Sequence, residues 1–97
     1  MSNLTFLGRL EAIVLERMAN PSAGSYTAKL AAAGTKRIAQ KVGEEGVELS
    51  LAAVSGDREE IIDEAADLIY HSIVLLARQN IRLSEVVDRL ESRHSET

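Results

Sequence analysis

Pro21 is the only proline in this chain of 97 residues, so nothing after it forbids long helices. Two uninterrupted stretches follow, 35–55 and 58–79, set off by Gly34, Gly56, Asp57 and Asn80. Aromatic residues make up only 3% of the chain against 45% hydrophobic residues overall. The core must therefore be built from Leu, Ile, Val and Ala, which suit packed helices better than a sheet. These features predict an all-α fold, a helical bundle of four to five helices forming one domain over 1–97. A core this small is expected to be completed by homodimerisation.

Element boundaries follow from local signals. Leu7, Leu10, Ile13, Val14 and Met18 recur at helical spacing and predict a helix over 4–19, ended by Asn20-Pro21-Ser22. Ser25 is placed to cap a short helix, Tyr26 to Ala33, which Gly34 closes. Thr35 is read as the cap of a long helix to about Ser55, and Asp57 as the cap of 58–79. Asn80 breaks that helix, and Ser84 is read as the cap of a last one reaching about His94.

On a wheel of about 100° per residue, the helix over 35–55 shows two apolar faces. Ile38, Val42, Leu49, Ala52 and Ala53 share one, and Val47, Leu51 and Val54 share the other. In so short a chain the second face is expected to meet another subunit. Gly43 and Gly46 lie mid-helix at a cost in stability, and are read as permitting close approach of a helix or ligand.

Charge and composition exclude several classes. A net charge of -4 and a pI near 5.1 argue against a nucleic-acid partner. No apolar run approaches the length of a membrane span, no secretion signal is evident, and no cysteine is present. A cytoplasmic protein without nucleic-acid or membrane partners is the expectation.

The chemistry lies in two acidic clusters, Glu44-Glu45-Gly46-Val47-Glu48 and Asp63-Glu64-Ala65-Ala66-Asp67. Each holds carboxylates at i, i+3, Glu45/Glu48 and Glu64/Asp67, which a helix sets about 60° apart on one face. Packed side by side, two such helices gather four or five acids in a small volume. Like charges that close repel unless a multivalent cation lies between them, and oxygen-only donors favour Mg²⁺. The pattern suggests the magnesium cradle of an enzyme acting on a phosphorylated substrate. The plainer alternative is surface acids on amphipathic helices. Against it, Glu45 falls inside the first apolar arc, where an unpaired carboxylate costs several kcal/mol.

Other residues are less specific. Lys36, Arg37 and Lys41 precede the first cluster and either contact phosphates or, for Lys41, pair with Glu44, Glu45 or Glu48 on the same helix. Lys29 is either a further phosphate contact or a solvated lysine. His71 stands four residues after Asp67, either hydrogen-bonding that carboxylate or half-buried without a role. Di-iron chemistry would need two Glu-x-x-His motifs, and only Glu91-x-x-His94 occurs.

The run Lys36-Arg37-Ile38-Ala39-Gln40-Lys41-Val42-Gly43-Glu44-Glu45-Gly46-Val47-Glu48, with Gly56-Asp57-Arg58 and Glu64-Ala65-Ala66-Asp67-Leu68-Ile69-Tyr70-His71, closely resembles the phosphoribosyl-ATP pyrophosphohydrolases of histidine biosynthesis. These are all-α enzymes of the MazG type, and the resemblance runs from about Leu4 to His94. It implies hydrolysis of phosphoribosyl-ATP to phosphoribosyl-AMP and pyrophosphate with Mg²⁺, Mn²⁺ being an acceptable substitute, by a homodimer. By position it makes Glu45, Glu48, Glu64 and Asp67 metal ligands, with Glu44 accessory. Glu45 or Glu48 would activate the water, Lys29, Lys36, Arg37 and Lys41 would face phosphates, and Tyr26 would contact a ring. The chain lacks the cyclohydrolase partner domain found fused in some organisms, so the stand-alone form is expected. The same acidic motif also serves enzymes that hydrolyse free or damaged nucleoside triphosphates, and a helical dimerisation module without chemistry is the reading from a different class.

Overall fold

Helix-capping groups punctuate the chain into five α-helices: α1 (Phe6–Ala19), α2 (Tyr26–Ala33), α3 (Thr35–Ser55), α4 (Arg58–Arg78) and α5 (Leu83–His94). The structure is a computed structural model describing residues 3–95, and no strand occurs among them. Ser25 Oγ accepts the Ala28 N–H at 3.1 Å and starts α2. Asp57 Oδ1 accepts the N–H groups of Glu59 at 3.1 Å and Glu60 at 3.3 Å, which satisfies two orphan donors of α4. Gly56, left-handed at φ 84°, ends α3, a conformation that favours a residue without Cβ. The Gly56-Asp57 link folds α4 back along α3, and these two helices share the largest interface in the chain.

Two caps differ from expectation. Gly34, at φ 97°, occupies the position before α3, and Thr35 is already helical. The Thr35 hydroxyl instead accepts Gln79 Nε2 at 2.8 Å, tying the start of α3 to the end of α4. Ser84 lies inside α5 rather than capping it. The first donors of α5 are met elsewhere: Glu85 accepts the Arg82 N–H at 2.9 Å, and Glu11 Oε2 accepts the Leu83 N–H at 2.6 Å. A carboxylate from α1 performs the capping, so a local serine is not needed.

The core joins Val14 of α1, Leu30 of α2, Ile38 of α3, and Ile73, Val74 and Ala77 of α4. Helix α5 contributes no buried residue. The second apolar face of α3 stays open: Val47, Leu51 and Val54 are 60%, 65% and 86% exposed. No helix among the described residues uses Gly43 or Gly46 for close approach, since a Cβ added at either would meet nothing within 4 Å. Among the described residues, the room those glycines leave is unfilled.

Candidate metal centre

Helical period alone puts Glu45 on the buried side of α3, between the core-facing Ile38 and Ala52. It is 5% exposed, a burial that a lone carboxylate resists. Glu48 follows one turn later and remains open to solvent, while Glu64 approaches from α4, half-buried. Oxygens of these three carboxylates lie within 4.8 Å of one another. The interface between α3 and α4 thus brings together acids that are remote along the chain.

The electrostatics of this group are strained. Burial pushes the Glu64 carboxyl up to about 7, reinforced by a hydrogen bond with Glu48 and by the charges of Glu48, Glu45 and Asp67. Two carboxylates can share a hydrogen bond only when one carries a proton, so a proton offsets part of the repulsion. It does not offset all of it. Glu45 Oε1 and Glu64 Oε1 are both buried and without a hydrogen-bond partner, an arrangement costly in a low-dielectric setting.

Lys41 supplies partial relief from the same helix. Its Nζ lies 3.7 Å from Glu45 Oε2 and 4.0 Å from Glu44 Oε1, the local pairing weighed against a phosphate contact. Glu44 is turned along the surface of α3, where Gln40 Nε2 donates to it at 3.0 Å. It does not join the three-acid group. Asp67 is exposed one turn beyond Glu64 and acts on the group through its charge, not as one of the three closest donors. The donor set contains only carboxylate oxygens, two of them buried and unpartnered, and this fits a hard divalent ion.

The remaining candidates are distributed around this centre. Lys29 of α2 and Lys36 and Arg37 of α3 are exposed and enter none of the ion pairs among the described residues. His71 does not reach the Asp67 carboxylate. Its Nδ1 bonds the Asp67 backbone carbonyl at 2.8 Å, and its Nε2 faces the Tyr26 hydroxyl at 3.0 Å. The expected hydrogen bond is therefore to the main chain, because an i, i+4 histidine folds back along its own helix. Buried Glu11, which joins α1 to α5, was not anticipated. Its position on the Leu7–Val14 apolar arc carried the same signal that singled out Glu45.

The sequence model of the phosphoribosyl-ATP pyrophosphohydrolases matches residues 7–94, a span holding every acid of the centre. The chain belongs to the phosphoribosyl-ATP pyrophosphohydrolase family. It is 55% identical over 92 residues to the histidine biosynthesis bifunctional protein HisIE of Photobacterium profundum, covering 95% of this chain and 44% of that protein. It is 56% identical over 93 residues to the protein of the same name from Yersinia pestis (96% and 46%). With that of Salmonella typhi it shares 57% identity over 89 residues (92% and 44%). The chain spans a little under half the length of these relatives. Within the family domain, the three-acid group lies where the two longest helices meet.

Proposed function

We propose that this chain hydrolyses phosphoribosyl-ATP to phosphoribosyl-AMP and pyrophosphate, with Mg²⁺ held by Glu45, Glu48 and Glu64 and with Asp67 and Glu44 as outer acids. The observation that carries this reading is the pair of unpartnered, buried oxygens on Glu45 and Glu64, set within a family domain whose name describes the reaction. Histidine biosynthesis, named in the relatives, supplies the context. Cytoplasmic location belongs to the same reading.

In this reaction water attacks phosphorus, the anhydride bond between the α- and β-phosphates breaks, and pyrophosphate leaves with the bonding electron pair. The bound cation supplies positive charge that offsets the triphosphate and the departing pyrophosphate. Glu48, the solvent-open member of the group, orients the attacking water and takes its proton. Glu45 is held in place by burial and by Lys41, and anchors the site from the core side. Lys29, Lys36 and Arg37 contribute donors for the remaining phosphate oxygens, and Tyr26 contacts the nucleotide ring.

A homodimer is part of the proposal. Val47, Leu51 and Val54 form an exposed apolar strip on α3, a surface that water-facing helices do not usually display and that a second copy would cover.

The deciding assay measures pyrophosphate release from phosphoribosyl-ATP and from deoxynucleoside triphosphates, with Mg²⁺ and after chelation. Selective, chelator-sensitive turnover of phosphoribosyl-ATP is expected. Equal or better turnover of the triphosphates would reassign the substrate.

A further inference from the structure

Tyrosines at a surface usually bury the ring edge and direct the hydroxyl to water. Tyr26 does the reverse. The residue is 50% exposed, yet its hydroxyl points inward to His71 Nε2 at 3.0 Å. His71 is itself 6% exposed and is held by a second bond, from Nδ1 to the Asp67 carbonyl at 2.8 Å. A carbonyl only accepts, so Nδ1 carries a proton, and in that tautomer Nε2 accepts from the Tyr26 hydroxyl. Beside this pair, the Thr27 and Tyr70 hydroxyls are hydrogen-bonded to each other. Consecutive residues at the start of α2 are thus bonded to consecutive residues of α4. Tyr70 packs 6.2 Å from the Tyr26 ring centroid, and His71 meets that ring edge-on at 5.9 Å.

We propose that His71 is a positioning residue: by holding the Tyr26 hydroxyl, it fixes the outward ring of Tyr26 as a platform for the aromatic base of the nucleotide. The inference rests on the reading of Tyr26 as a substrate contact. His71 stands one helical turn, about 5.4 Å, beyond Asp67 on α4, so the platform lies within a nucleotide's reach of the acids proposed to hold the cation that its phosphates bind. A ring already immobilised loses no further rotamer freedom when a base stacks on it. Freed from His71, the same ring would have to be ordered by the substrate.

Steady-state kinetics on Tyr26→Phe, His71→Phe and the double variant test this. Each single change should raise KM for phosphoribosyl-ATP about five- to tenfold, with kcat changed less than about twofold. The double variant should be no worse than either single one, because both remove the same bond. Inhibition by inorganic tripolyphosphate, which has no ring, should be equal in all four proteins. Calorimetric titration with AMP in the absence of metal should show the same loss in Tyr26→Phe and a larger one in Tyr26→Leu. An unchanged KM in Tyr26→Phe, or tripolyphosphate weakened as much as the substrate, would overturn the platform. Equal AMP affinity across wild type, Tyr26→Phe and Tyr26→Leu would do so as well. If AMP binding depends on Tyr26 while wild type leaves phosphoribosyl-ATP intact, the platform stands and the hydrolase reading falls.

Discussion

Glu45 of α3 and Glu64 of α4 meet across the largest helix interface of the chain, each with a buried carboxylate oxygen that no donor reaches. Neither helix would tolerate this arrangement alone. It exists because core packing between Ile38, Ile73 and Val74 holds the two helices together against the repulsion.

Charge removal and chemistry should therefore separate cleanly. Glu48→Gln is expected to lower kcat by at least about a hundredfold, the usual scale for losing a positioned base. Its circular dichroism should match wild type, and its melting temperature without metal should be no lower, since a repelling charge is removed. A variant retaining most of its turnover would show that Glu48 does not handle the water.

Protonation of Glu64 sets a pH signature. Its pKa is raised from 4.5 to about 7 in the folded protein, so between those values the folded state holds more protons than the unfolded one. Stability of the metal-free protein should fall as pH rises from about 5 to 8, and added Mg²⁺ should flatten that decline. Metal affinity should strengthen over the same interval, because the ion displaces a proton. Melting curves and calorimetric titrations in buffers of different ionisation enthalpy check both parts. Glu64→Gln should remove the pH trend and the metal effect together.

Glu11 should prove a structural acid. It accepts the Leu83 N–H at 2.6 Å and Arg82 Nη2 at 3.2 Å, and the Arg82 hydrogen bond is the main cause holding its pKa below 4.5. Its contribution is fully present above its ordinary pKa and is lost as pH falls through the depressed value. Glu11→Ala leaves a backbone donor and a guanidinium unpaired, and should cost about 1–3 kcal/mol in chemical denaturation. Hydrogen exchange should rise first in α5, which has no fully buried residue and packs on the core mainly through half-buried Leu83. Unchanged protection of α5 would show that Glu11 does not anchor it.

The exposed strip of α3 should decide assembly. Leu51→Glu places a charge in the middle of Val47, Leu51 and Val54, and sedimentation should shift from a dimer toward the monomer mass. A species unchanged in mass would put any dimer contact elsewhere.

The helix pattern was plain in the sequence because its causes are local: one proline, capping groups at Ser25 and Asp57, and apolar spacing at helical period. Where those causes were not local, prediction slipped. Thr35 bonds Gln79 across two helices, and Ser84 is bypassed because Glu11, remote in sequence, caps α5. The acids were legible for a similar reason, since i, i+3 spacing fixes a shared face whatever the helix packs against.

Which of those acids converge was a matter for tertiary structure alone. Residue spacing singles out Glu45 and pairs Glu45 with Glu48 and Glu64 with Asp67, but only Glu45, Glu48 and Glu64 come within 4.8 Å of one another. The register and rotation of α4 on α3 made that selection, and both are set by how Ile38 and Val74 fill the same core. The hydrogen-bonded pair of Tyr26 and His71 was beyond the sequence for the same reason: a contact between separate helices has no period to read.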